Sequence, residues 1–185
     1  MIDFALIKLR NELQAYLTPT RPVTLDNVAL MESADKVTAL GDHVIITLVN
    51  IEEESSLKNG LNYRRTPIGG IEYENRPIFL NLYLLFTANF PRNYDVSLML
   101  LSRIIQFFQG HNSFIVNSDE GESQLTLDLY TMTFEQINHL WGSLGGKQIP
   151  FVMYKARLVQ ITDRRSKGTG SPIIEIESDV FPNIS

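Results

Sequence analysis

His43, His111 and His139 are the side chains best suited to metal ligation or to proton transfer near neutral pH. None has a second histidine at a ligand spacing, and the sequence contains no cysteine to add a thiolate. Each histidine therefore reads as a surface or helix-end residue. A Ser-His-Asp arrangement can assemble from distant residues, but no serine sits in a Gly-x-Ser-x-Gly elbow. Gly145-Gly146 lacks the spacing of a phosphate-binding loop, and nothing singles out two carboxylates as an acid and base pair. No residue qualifies as catalytic, cofactor-binding or metal-ligating, and no cofactor is expected.

Charge narrows the partners. The chain of 185 residues carries a formal net charge of -5, whereas neutralising a phosphate backbone needs a clustered excess of Lys and Arg. No nucleic-acid partner is expected. Two small basic groups, Arg64-Arg65 and Arg164-Arg165 with Lys167, read as solvated loop residues or protein-contact charges. The acidic run Glu52-Glu53-Glu54 reads as a solvated strand end. The absence of cysteine excludes disulfides, suits synthesis in a reducing compartment and tolerates release outside the cell. Met1 to Arg10 puts its basic residues after the apolar run, the wrong order for a secretory signal, so no export peptide is expected. The densest apolar stretch, Ile78 to Phe86, is far below the roughly 20 residues that span a bilayer as a helix. A soluble chain without a membrane partner is expected. With 44% apolar residues it fits one ordinary domain, burying roughly 70% of its unfolded surface.

The elements follow from periodicity. Ile2, Leu6, Leu9, Leu13 and Tyr16 or Leu17 recur at three- and four-residue steps and form one stripe of a helix ended by Thr18-Pro19. Val23 and Leu25 suggest a strand, and the polar stretch Glu32 to Lys36 a connection. Val44 to Ile51 is β-branched and almost wholly apolar, as in a strand covered on both faces. Ser55 to Arg76, with Asn59-Gly60, Thr66-Pro67 and Gly69-Gly70, reads as a long exposed loop. In the next strand Ile78, Leu80, Leu82, Leu84 and Phe86 line one face and Phe79, Asn81, Tyr83, Leu85 and Thr87 the other, which places it mid-sheet.

Asp95 is the expected N-cap of a helix with Leu98, Leu101, Ile104, Ile105 and Phe108 inside, Ser102, Arg103, Gln106 and Gln109 outside, and Gly110 as its stop. Leu125, Leu127 and Leu129 alternate with polar residues, as in a strand with one wet face. Thr133 and Gln136 form a capping-box pair for a helix through Trp141 and Leu144 that Gly145-Gly146 closes. Val152, Tyr154, Ala156 and Leu158, then Val159 and Ile161, change parity, which predicts a bulge in a long strand. Arg164 to Ser171 reads as a polar linker, and Ile173-Ile174-Glu175-Ile176-Glu177 as a short strand-capable tail. The order helix, strand, strand, strand, helix, strand, helix, strand is an α+β layout, with residues 1–165 as one domain and 166–185 as a linker plus C-terminal arm or edge strand.

Taken in order, several blocks carry a likeness: Ser56-Leu57-Lys58-Asn59 after an apolar strand, Pro77 to Thr87 feeding the helix Asp95 to Gln109, Leu125-Thr126-Leu127, Leu140 to Leu144, and Tyr154 to Ile161 leading into Asp163-Arg164-Arg165. The series resembles the cap, or tail-terminator, family of extracellular contractile injection systems of the antifeeding-prophage and virulence-cassette type, over about Met1 to Arg165. The resemblance implies a mixed, mainly antiparallel sheet with helices packed on one side, similar to phage tail-terminator proteins. It also implies a non-enzymatic structural protein, assembled in the cytoplasm, that forms a homo-oligomeric, hexameric ring on the tube and sheath proteins at the distal end of a phage tail-like particle. Leu57, Asn59, Leu82, Trp141 and Tyr154 match family positions, and the apolar ones among them read as fold maintenance. Two other readings stay open: a tube or baseplate adaptor of the same particle, and a small-molecule-binding α/β domain. For Pro172 to Val180, strand addition to a neighbouring subunit and an edge strand of the same sheet are equally compatible with the sequence.

Overall fold

Phe79–Asn89, the richest apolar run, forms the strand on which the rest of the molecule is built. The computed structural model describes residues 1–17, 21–33, 35–36, 38–54, 63–65, 71–74, 79–118, 121–160 and 166–170. Its elements are α1 (Ile2–Leu17), β1 (Val23–Leu25), a 3-10 turn (Val28–Leu30), β2 (His43–Glu53), β3 (Tyr63–Arg65), β4 (Ile71–Glu74), β5 (Phe79–Asn89), α2 (Tyr94–Gly110), β6 (Ser113–Ser118), β7 (Gly121–Leu129), α3 (Phe134–Ser143), β8 (Phe151–Gln160) and β9 (Ser166–Gly170). Six strands form the main sheet in the order β1-β2-β5-β8-β7-β6. Only β1 pairs in parallel, with β2, and the other ladders are antiparallel. The expected mixed, mainly antiparallel α+β fold is what forms.

Alternation along β5 sends Leu82, Leu84 and Phe86 to one face and Leu85 to the other. The first face meets α1 through Ala5, Leu9, Leu13 and Leu17 and α2 through Leu100, Ile104 and Phe108, all buried. Phe86 stands edge-on to Phe108 at 5.3 Å and to Tyr154 at 5.6 Å between ring centres, an arrangement that adds to simple area burial. The two long helices thus share one side of the sheet. On the other side, Leu85 and Met153 meet Val28 of the 3-10 turn and Trp141 of α3, which add a smaller second core. Thr47 fixes that turn: its hydroxyl donates to Asp26 O at 2.7 Å and accepts from Val28 N at 3.1 Å.

α1 packs against β1 and also against β6, the two edges of the main sheet. A helix about 10 Å across reaches both edges only if the sheet curls toward itself, so α1 closes a half-barrel and covers edges that would otherwise template pairing. Gln14 anchors it, donating to Arg21 O at 3.2 Å and accepting from Val23 N at 2.6 Å.

Several expectations are revised. Asn93, with no side-chain capping bond, is the N-cap of α2, and Asp95 lies in the first turn, where its charge favours the helix dipole. Ser97 and Leu100 replace the exposed Leu98 on the buried stripe, which runs Ser97, Leu100, Ile104 and Phe108 at three- and four-residue steps. Gly110 is the last helical residue and His111 the C-cap, so no glycine stop operates there. Val152 to Val159 pairs with β5 without interruption, so β8 carries no bulge over that span, and Ile161 lies outside the described residues. The bulge is in β2, where the register slips between Leu48 and Asn50 and turns the strand from its buried half to its exposed acidic end. Ser113–Ser118, which periodicity passed over, is β6, paired with β7 from Ser118 opposite Gly121, whose φ is +124°. The capping box is as expected, with Thr133 accepting from Gln136 N and Thr133 N donating to Gln136 Oε1 at 2.9 Å. Thr18-Pro19 and the tail Ile173 to Glu177 lie outside the described residues.

Candidate assembly surface

The stretch read as a long loop contains β3 and β4, and the stretch read as a linker contains β9. These strands form a second, three-stranded sheet in the order β3-β4-β9. In the chain, β3 follows β2, β4 precedes β5 and β9 follows β8, and β2, β5 and β8 are neighbours in that same order in the main sheet. Three chain segments therefore keep the same neighbours in both sheets, and the three-stranded sheet is termed the arm. The register gives its direction: Glu74 pairs with Ser166 at the body end, and Ile71 pairs with both Arg65 and Gly170 at the tip. Ser-Lys-Gly-Thr-Gly shows no apolar alternation, so backbone pairing alone makes β9 a strand. β3 and β9 are the two edges of the arm, and strand edges are surfaces for adding further strands.

At the root of the arm Glu54 N donates to Phe79 O at 2.8 Å. Asn81 donates to Glu54 at 3.0 Å and the Tyr83 hydroxyl donates to Glu52 at 2.9 Å. Burial first, and Glu52 second, push Tyr83 up to about 12. Across the same sheet face Asn81 pairs with Arg157 and Tyr83 with Lys155, and these in turn sit opposite Thr126 and Asp128 of β7. Buried Tyr154, on the helix side, is also pushed up to about 12. Large apolar side chains are exposed as well: Phe4 and Ile7 on α1, Leu98 and Met99 on α2, Ile115 on β6, and Phe134 on α3 at 87%.

The histidines do not converge. His43 Nδ1 lies 2.6 Å from Gly41 O, His111 packs on Phe114 at 4.6 Å between ring centres, and His139 is exposed on α3. Glu135 is one turn upstream of His139, but no group of three potential ligands forms among the described residues. Leu82, Trp141 and Tyr154 are buried, in keeping with a structural role, whereas Leu57 and Asn59 lie outside the described residues. The side chains of Arg64, Arg65 and Lys167 and all of Arg164-Arg165 do too. No helix among the described residues is long and apolar enough to cross a membrane. A cleft between the 3-10 turn and the end of α3, lined by Val28, Met31, Glu32, Trp141, Leu144 and Lys147, encloses about 40 Å³, well below the roughly 300–1,000 Å³ of metabolite pockets.

Comparison with known proteins gives a family match and a likeness of fold to solved structures. The model of the Pvc16 N-terminal domain matches residues 8–175. A solved sheath/tube terminator of an extracellular contractile injection system, PVC, in the extended state superposes with a TM-score of 0.66 at 15% identity, covering 100% of this chain and 65% of that one. The tube-terminating cap of the anti-feeding prophage superposes with a TM-score of 0.65 at 12% identity, covering 97% and 61%. At such identities the likeness is one of fold, and this chain spans less than two thirds of either of those chains. No curated protein sequence matches significantly.

Proposed function

The chain belongs to the Pvc16 N-terminal domain family, and from that membership we propose that it is a structural cap of a contractile injection system, ending the growth of tube and sheath by geometry. The observation that carries the reading is the coincidence of terminator fold and family match over nearly the whole chain. A cap needs one surface complementary to the last ring of a polymer and a second that does not reproduce that ring's growing end. The molecule offers two unlike parts: a three-stranded sheet with β3 and β9 as its outer strands, and a body whose sheet edges α1 packs against. Closure into a ring requires a heterologous interface, two unlike patches per subunit. We assign the arm and the segment after Ser171 to contacts outside the core, and six subunits to the ring, with tube and sheath proteins as partners and no reaction of its own. The assembled particle is released from the cell that makes it.

Electron microscopy of the purified protein and of labelled particles tests this. The expected result is a closed six-fold ring, with label at the tip of the tube distal to the baseplate. A protein that stays monomeric at high concentration, or a label found at the baseplate, overturns the cap reading. Truncation after Gly170, which keeps β9, addresses the terminal segment separately: if rings and capping persist unchanged, that segment makes no contact that matters.

A further inference from the structure

Alternation along β8 places Met153, Lys155, Arg157 and Val159 on the sheet face that carries α3. Met153 is buried there against Trp141, but Lys155 is only half-buried and Arg157 is exposed. Neither cation makes an ion pair among the described residues. Asp128 stands opposite Lys155 on β7 without pairing with it. Across β5, Glu52 accepts from the Tyr83 hydroxyl and Glu54 from the Asn81 amide, so neutral donors hold both carboxylates. A chain of net charge -5 thus presents two neighbouring cations with no anion on them. Val159, half-buried, adds an apolar position at the next outward step.

The complementary pattern stands after Gly170, in sequence outside the described residues. Ile173, Glu175 and Glu177 follow one another at two-residue steps, and in an extended segment such steps are about 6.8 Å, the same as along β8. We propose that this face of β8 docks the segment Ile173 to Glu177 of a second copy, running antiparallel, with Ile173 on Val159, Glu175 on Arg157 and Glu177 on Lys155. Charge complementarity selects the occupant, since each carboxylate meets a cation that lacks one. The copy's own segment falls short. β9 runs from Ser166, opposite Glu74 at the body end, to Gly170 at the tip, a span of about 13 Å. Three further residues to Ile173 recover at most about 10 Å of it. Donor segment and acceptor face are unlike patches, as a heterologous contact requires. That the contact closes a ring rests on the capping reading, but the pairing itself does not.

A dye-labelled peptide spanning Ser171 to Ser185, titrated onto the full chain and followed by fluorescence anisotropy, reads the pairing without requiring a ring. Saturable binding is expected. Making Glu175→Lys and Glu177→Lys together in the peptide is expected to weaken it by about tenfold, the scale of two reversed ion pairs. Lys155→Glu with Arg157→Glu in the chain is expected to weaken the natural peptide equally and to restore the reversed one. This crossed recovery separates a lost contact from a lost fold, because a misfolded body recovers nothing. Exchanging Ile174 and Glu175 in the peptide keeps charge and composition but breaks the two-residue step, and is expected to weaken binding by about threefold. A natural peptide that does not bind, a reversed peptide that the reversed chain does not recover, or an exchanged peptide that binds as well as the natural one overturns the pairing. Rings without peptide binding leave the cap standing and remove this contact, whereas peptide binding by a chain that never forms rings does the reverse.

Discussion

At Asp26 one short residue holds the turn after β1 from several sides. Its carboxylate pairs with Lys36 and accepts from Asn27 N at 2.8 Å, its N-H donates to Ile46 O at 3.2 Å, and its carbonyl accepts from Thr47. The bond from Lys36 outweighs burial and holds the carboxyl below its ordinary range. Because the folded state favours the charged form, this contribution is present above about pH 4, the unfolded value, and is lost as pH falls through the lower folded value. Asp26→Asn is therefore expected to be less stable than the natural chain at pH 6, with a smaller gap at pH 3. Urea unfolding at both values measures it, and a gap that stays constant would mean the carboxylate charge is not what stabilises the turn. Asn81 shows the opposite condition: it donates to Glu54, yet its Oδ1 is buried without a partner among the described residues. Neither feature is visible in sequence, since Lys36 and Glu54 become partners only when the strands pair.

Elements were legible in proportion to how far side chains, rather than backbone, decide them. β5 and α3 could be read because one shows two apolar faces and the other a capping box with a glycine close, and the structure keeps both. β9 could not be read, because its residues carry no alternation and its only reason to be extended is β4, distant in sequence. β6 had a usable signal in Phe114, Ile115 and Val116 ahead of a glycine turn, but its outer residues are polar and its partner strand follows at once. Of the candidate surface, the sequence marked both arm segments as lying outside the core, without indicating that they pair with each other. α1 was legible as an amphipathic stripe, though its closure of the half-barrel was not. That role is testable. Leu9 is wholly buried and Ile7 is 43% exposed on the same helix. Leu9→Ala is expected to cost about 3 kcal/mol by loss of transfer energy and the cavity left behind, and Ile7→Ala less than about 0.5 kcal/mol in the isolated chain. Equal shifts in the urea midpoint would mean that α1 does not seat as described.

For the whole molecule, body and arm differ in kind: the body holds the cores, and the arm pairs three segments that lie next in the chain to its central strands. The two can be separated, because Glu54 N and Phe79 O are hydrogen-bonded at 2.8 Å, so the ends of β2 and β5 are already at turn distance. Residues 55–78 can then be replaced by a short Asn-Gly turn of the hairpin type, in a chain that stops after Gln160. Such a variant loses β3, β4 and β9 together and none of the buried residues of either core. It is expected to remain folded, with the buried Trp141 keeping its blue-shifted fluorescence and near-ultraviolet dichroism, and to lose ring formation and incorporation into particles. Light scattering on the purified variant and microscopy of particles made with it read the two outcomes independently of the fold. A folded variant that still closes into rings and still caps would move the subunit contacts onto the body, to the exposed apolar residues of α1 and α2, and would leave the arm without a part in assembly.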